Sequence, residues 1–580
     1  MGNQAQSRMR EDFDGPLEAM HASIRDDNVP ELRRILSLAT ADEVNHEHYK
    51  WGTPLHVAVL CDNLPAVDLL LEAGADPLFL THSDDGMTPL GTAARRGTTA
   101  IVERVWQSVP LERRASDRYS QNTALGVAAM YGQTHVVDLL LNLWDDWPQA
   151  TKQGALFAAA NKWRANVVDL LLDRVDFPQD VILQALHVVV NFKVMLAEDE
   201  RGGVKYDGTD FLNQQQLIKA LVKAGADPNA MMKRVVFQTA PILFACRYCD
   251  LVGGLKALLE TGADPNIQDD DGKTALHHLG APVYVKSQSP SSRLNDAGIQ
   301  LLIEKGASVS CCDNEGNTPL HSAAYGSNLS IFLLYLSAMD PTEKKSMPTL
   351  VNNYGETLLH WAAAGGKIEI MEYLISNGSD VNEVSANGWT PLLCSLTRTS
   401  DGDVFGSKLK TSWLAVRAAL ILLDHGANSF VSTEEGYTPL HLLAMYLDRD
   451  EAGGTAALAQ ELVSRGADIE ARASMVVSVA TLRKDQNLHA HGWGWRTKQT
   501  LEKFASDAAV VSLDLPLLHW AAHHGAVGLA KVILAHGANP ECADSKGMYP
   551  ATSVVKSEKM QRNLEVSQKF VQLLIETMGR

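Results

Sequence analysis

Cysteine is scarce in this chain: Cys61, Cys246, Cys249, Cys311, Cys312, Cys394 and Cys542 are all it has. So few, and an odd number, argue against a disulfide framework and suit a reducing compartment. Cys246 and Cys249 form a lone CxxC. No second pair completes a zinc site, so both are expected as small buried residues, and no metal or cofactor is predicted. Basic residues are in deficit, 51 Lys and Arg against 69 Asp and Glu, for a net charge of −18. That charge repels phosphate backbones and disfavours direct nucleic-acid binding by the chain as a whole. No apolar run approaches the roughly 18 to 20 residues that span a bilayer, which argues against a channel or transporter. The opening MGNQAQSRMREDFDG lacks the apolar core of a secretion signal. It starts like a myristoylation signal, but Gln6 stands where Ser or Thr is required. The expected location is intracellular, cytoplasmic or nuclear. Apolar material is ample, at 46% hydrophobic against 21% charged, so a folded chain is expected.

One phrase recurs along the chain. It reads TPLHVAV at Thr53, TPLGTAA at Thr88, TALGVAA at Thr123, TALHHLG at Thr274, TPLHSAA at Thr318, TLLHWAA at Thr357, TPLLCSL at Thr390 and TPLHLLA at Thr438, with LLHWAAHHG from Leu517. A second phrase follows it: LLLEAGADP ending at Pro77, LVKAGADPN at Asn229, LLETGADPN at Asn266, and later LLIEKGAS, LISNGSDVN, LLDHGANS, LVSRGADI and ILAHGANP. Thr53 followed by Pro54 is a helix start, with a capping hydroxyl and a proline suited to the first turn. PAVDLLLEA places apolar residues at helical spacing for a second helix. Gly74 stops that helix where a left-handed backbone is favoured. Neither helix is long enough to be stable alone, so neighbouring repeats must stack to share a core.

On these phrases the chain resembles the ankyrin-repeat family from about residue 16 to its end. The resemblance implies an all-α solenoid with short β-hairpin turns: stacked repeats with N- and C-terminal caps and several loop insertions. About fourteen units are expected. The predicted layout is a disordered tail (1–15), an N-terminal array (16–190), an insertion (191–216), a central array (217–471), an insertion loop (472–513) and C-terminal repeats with a cap (514–580). Further excess length falls at 280–298, 398–415 and 446–456. The array is expected either to run on or to break at 191–216. The unit near 153, GALFAAANKW, lacks both Thr and Pro, leaving its helix start undefined.

By resemblance, partners bind the concave face, built from hairpin tips and the outer ends of the first helices. The positions after each TPLHxAA phrase supply Arg95, Arg96, Met130, Tyr131, Arg247, Tyr248, Tyr325, Tyr446, His523 and His524, with Trp163 flanking. Arg, Tyr and Trp are enriched in binding hot spots. The 472–513 insertion adds Trp493 and Trp495 in a locally basic, aromatic stretch. The tips SDDG (83–86), DDDG (269–272), DNEG (313–316) and TEEG (433–436) form an acidic row that favours a basic partner segment.

Enzyme signals are weak. Gly272-Lys273-Thr274 ends like a phosphate loop, but Ile267 stands where the first Gly belongs. The histidines of the TPLH phrases recur with the repeat, which makes them structural rather than catalytic. His519 and His523 stand one helical turn apart, but the repeat claims His519. The expected function is a non-enzymatic protein–protein interaction scaffold or adaptor. The alternatives are a transcription co-regulator acting through a DNA-bound factor, a ubiquitin-ligase substrate adaptor, and an enzyme with its site in 472–513. No basic run resembles a nuclear-import signal, and neither an F-box-like start nor a recruitment box is recognisable.

Overall fold

The structure, a computed structural model, describes residues 18–82, 86–114, 123–190, 208–233, 238–248, 252–280, 296–386, 388–397, 412–446, 454–478 and 510–579. It consists of short helices joined by tight turns and divides into two compact units. One runs to Ala230 and includes Gly253–Ala263; the other comprises Met231–Val252 and Asp264–Arg580.

In the first unit the helix pairs are Ala19–Arg25 with Val29–Leu36, Pro54–Leu60 with Leu64–Glu72, Pro89–Arg96 with Thr99–Ser108, Ala124–Met130 with Thr134–Leu143, and Gln149–Asn161 with Ala165–Arg174. Gln179–Val190 and Gly208–Lys223 follow. Residues 208–216, expected within an insertion, therefore belong to a helix. The unit lacking Thr-Pro starts its helix early, at Gln149, with Pro148 at the N-cap. Pro148 cannot donate to a preceding turn, so it takes over the stop that Thr-Pro provides elsewhere.

The second unit repeats the pattern. Its first helices are Pro241–Tyr248, Ala275–Gly280, Pro319–Gly326, Leu358–Gly365, Pro391–Ser395, Pro439–Ala444, Leu517–His524 and Pro550–Lys556. Asp296–Glu304, Ser412–Asp424 and Thr455–Ser464 begin inside three of the segments read as loops. Among the described residues, strands occur only as two antiparallel pairs. Met232–Lys233 faces Gln238–Thr239, and Arg472–Ser478 faces Val510–Pro516 with Ser478 opposite Val510. The ends of the expected 472–513 loop are thus a β-ladder. Residues 479–509 lie outside the described residues.

The core lies where first helices meet. Leu55, Leu90, Leu125, Leu320, Leu359 and Leu440 are buried, and so are the alanine pairs Ala93–Ala94, Ala128–Ala129, Ala323–Ala324 and Ala521–Ala522. Side chains this small let neighbouring helices approach closely. At Gly280 even a Cβ would lie 2.9 Å from the Ala323 nitrogen, so only glycine fits that crossing. Second helices end at glycines in the left-handed region, such as Gly74 (φ 91°), Gly306 (89°) and Gly426 (88°). An asparagine then couples that helix end to the preceding repeat. Asn266 donates its amide to the Gly306 carbonyl at 3.0 Å and accepts from the Ser308 nitrogen at 2.7 Å. Asn382 does the same with Gly426 and Asn428.

Candidate protein-interaction surface

The surface begins with how each first helix is held. At Thr53, Thr274, Thr318, Thr357 and Thr438 the backbone N–H donates to the Nδ1 of a histidine three residues on, at 3.0 to 3.4 Å. An Nδ1 that accepts leaves the ring proton on Nε2, which must donate. His56 donates to the Met87 carbonyl (3.1 Å), His277 to Asn317 (2.9 Å) and His360 to Trp389 (3.1 Å), each in the following hairpin. Burial pushes His56, His277 and His360 down to about 4 and His441 to about 3, with backbone hydrogen bonds offsetting only part of the effect. These imidazoles are neutral connectors between repeats. Where histidine is absent, the threonine caps alone, as Thr88 does by accepting from the Gly91 nitrogen at 2.9 Å.

The tips are organised by their first acid. Asp269 accepts from the nitrogens of Asp271 (3.0 Å) and Lys273 (2.8 Å), and its other oxygen meets His278 Nε2 at 2.9 Å. Burial works against its charge, but His278 and the Lys273 N–H overcome that and hold the carboxyl below its usual range. Asp313 likewise accepts from the nitrogens of Glu315 and Asn317, and Asp544 from those of Lys546 and Met548. These acids close turns and do not face a partner. Asp270, Asp271 and Glu434 are the exposed ones. Neighbouring tips are linked by backbone bonds, Asn314 N–H to the Asp271 carbonyl and Asn353 N–H to that of Glu315, both at 3.0 Å. Of SDDG, residues 83–85 lie outside the described residues.

The residues singled out from sequence divide into three groups. Arg95 and Tyr131 are exposed and stacked, the guanidinium 4.8 Å from the ring centre. Arg96 and Met130 are half-buried beside them, and His523 and His524 are half-buried with their rings 5.1 Å apart. His524 also stacks on Trp520.

A second group is corrected by burial. Trp163 is 2% exposed, adopts φ 50°, and donates its indole N–H to the Val189 carbonyl at 3.0 Å. It occupies the left-handed turn position that Gly97 and Gly132 fill in other repeats, and its ring is drawn into the core. Tyr325 is 5% exposed and lies edge-on to Trp361; Tyr446 is 4% exposed and donates its hydroxyl to the Thr397 carbonyl. None of the three presents a side chain to a partner. The third group is not placed: the side chains of Arg247 and Tyr248, and all of Trp493 and Trp495, lie outside the described residues.

Arg164 escaped motif reading because it stands one place past the flanking position. It is exposed and donates Nε to the Met130 carbonyl at 3.2 Å. A signal was present in composition: residues 86–102, 123–137 and 147–168 contain Arg95, Arg96, Lys152, Lys162 and Arg164 and no Asp or Glu.

Chemical alternatives find little support. His519 Nε2 is committed to the Met548 carbonyl at 2.8 Å, with Cys542 Sγ 3.7 Å from Nδ1. Burial pushes the Cys542 thiol up to about 11, opposite to what an activated nucleophile needs. Among the described residues no group of three His, Cys, Asp or Glu side chains is placed to hold a metal, and no helix is long and apolar enough to cross a membrane.

Similarity to known proteins follows the repeats. The family described as Ankyrin repeat matches residues 52–82 and 515–545, and Ankyrin repeats (many copies) matches 295–334 and 345–405. The chain is 27% identical over 283 residues to the B-cell lymphoma 3 protein homolog of Mus musculus, covering 46% of this chain and 55% of that protein. It is 32% identical over 107 residues to NF-kappa-B inhibitor alpha of Sus scrofa, covering 18% and 33%. Over 47 residues it is 43% identical to the 26S proteasome non-ATPase regulatory subunit 10 of Rattus norvegicus, covering 8% and 20%. The chain thus spans about half, or less, of the length of these relatives. With paired short helices, Thr–His connectors and glycine-ended second helices on matching segments, this chain is an ankyrin-repeat protein.

Proposed function

We propose that the chain is a non-enzymatic interaction scaffold or adaptor that holds a partner protein against its first-helix ends and hairpin tips. The observation that carries this reading is prior fixation of the exposed side chains. Arg95 lies over Tyr131, and Gln133 donates to the Arg95 carbonyl at 3.0 Å, so little ordering is left to be lost on binding. Arg and Tyr are also the residue types that dominate binding energy in interfaces. Exposed Asp270, Asp271 and Glu434 support a basic partner segment along the tips of the second unit. Affinity purification with mass spectrometry, run beside a variant reversing those three acids, tests the reading. A partner retained by the intact chain and lost from the variant is expected. Failure to retain any partner refutes the reading.

Likeness to a relative named as an inhibitor of NF-kappa-B favours a second reading, in which the chain regulates its partner by holding it. Transcription co-regulation is one form of this. Exclusion of a fluorescent fusion from the nucleus overturns that form.

A further inference from the structure

We infer that the first-helix ends around Arg95, Tyr131 and Arg164 form a docking strip for an acidic, extended peptide segment of a partner protein. The inference rests on the adaptor reading and adds a partner chemistry at the first-helix ends of the first unit to that proposed for the acidic tips of the second.

Three neighbouring first helices, Pro89–Arg96, Ala124–Met130 and Gln149–Asn161, end side by side within one unit. Their ends are joined by contacts between repeats. Arg95 stacks over Tyr131, Gln133 reaches the Arg95 carbonyl, His135 Nε2 lies 2.9 Å from the Gly97 carbonyl, and Arg164 reaches the Met130 carbonyl. The strip carries Arg95 and Arg96 at one end, Lys162 and Arg164 at the other, and Met130 with Tyr131 between them. Arg96 and Arg164 form no ion pair among the described residues. The Arg96 Nε has no hydrogen-bond partner there either.

Charge sign is what identifies the partner. The whole chain carries −18, yet the segments that build this strip contain no acidic residue. Within these segments no acid cancels the cationic charge, the exposed Asp62 standing on the adjoining first-helix end beyond them, and a carboxylate approaching the three helix ends meets attraction where most of the protein repels. Arginine also pairs with carboxylate through two parallel hydrogen bonds. Packed helices lie about 8–10 Å apart, so the two cationic ends are separated by two helix spacings, about 20 Å. An extended chain covers that in about six residues at 3.3–3.6 Å each. The fitting segment thus carries acids at both ends and an apolar or aromatic residue in the middle, over Met130 and Tyr131.

Fluorescence polarisation with the full chain tests this. The probe is a short fluorescein-labelled peptide of Asp and Glu with a central Phe, compared with its Lys-for-acid counterpart and with poly(U) RNA. The acidic peptide should bind and weaken with added salt. R95E/R96E and K162E/R164E should each raise its Kd about tenfold or more; R95K/R96K, which keeps the charge but loses the bidentate fork and the stack on Tyr131, should weaken it less than R95E/R96E does, and K345E in the other unit should leave it within about twofold. Circular dichroism establishes that the variants remain folded. Absence of acidic-peptide binding, or binding that both double reversals leave unchanged, overturns the inference. Tighter retention of poly(U) through the same four cations overturns it in favour of RNA. If the peptide fails while the chain still retains a partner through its tips, this strip alone is refuted and the adaptor reading stands.

Discussion

His360 and Trp389 join two repeats through one proton: the His360 Nε2–H points at the Trp389 carbonyl, 3.1 Å away, while Nδ1 accepts from Thr357. Acceptance at Nδ1 requires a neutral ring, so protonation would break the bond from Thr357. Burial holds His56, His277 and His360 near 4, whereas an unfolded histidine titrates near 6.5. Between those values the unfolded chain binds more protons than the folded one. Stability is therefore fully present above about pH 6.5 and is lost as pH falls toward 4. Urea unfolding midpoints should be level above neutrality and decline through that window. His360→Gln removes one titrating ring and should flatten the decline; a midpoint level down to about pH 4.5 refutes the account.

Tyr335 supplies a second test. It is fully buried and donates its hydroxyl to the Leu276 carbonyl at 2.7 Å, reaching back into the preceding repeat. Tyr335→Phe preserves the shape and leaves that acceptor with one partner fewer. A loss of about 1–2 kcal/mol in urea unfolding is expected.

Trp163 sets two effects against each other. Its left-handed backbone costs about 1–2 kcal/mol for a side-chain-bearing residue, a cost that glycine avoids. Its buried ring and indole hydrogen bond are worth more, since emptying such a site costs about 3–5 kcal/mol. Trp163→Gly should therefore destabilise the chain by about 1–4 kcal/mol despite relieving the turn. A stabilised variant in chemical denaturation shows that the backbone dominates.

The strands Arg472–Ser478 and Val510–Pro516 allow a clean excision. Ser478 and Val510 are register partners, so joining them through Asn-Gly closes a hairpin of favoured geometry while removing residues 479–509. The melting temperature should hold, and partner capture should weaken if Trp493 and Trp495 contribute contacts, as their composition predicts. Unchanged capture removes that segment from the interaction surface.

The recurring phrases made the helix starts, the glycine stops and the stacking requirement legible, because each depends on local chemistry: a capping threonine, a proline with fixed φ, a glycine at positive φ. The break at Pro148 and the helices starting at Gly208 and Ser412 were less legible. There the Thr-Pro signal is missing, and packing against neighbours selects the start.

The sequence by itself determined the repeat, its period and the sign of the charge on each segment, since these are written residue by residue. Only the tertiary structure decided which residues at equivalent positions face outward. Arg95 and Tyr131 stay at the surface, whereas Tyr325 and Tyr446 turn inward toward neighbouring repeats and Trp163 fills a glycine site. The same holds for Asp269 and Asp313, read as surface acids and found closing their own turns. Position in a repeat fixes where a Cα lies. The direction of a large side chain is set by the space its neighbouring repeats leave, and that depends on residues some thirty positions away.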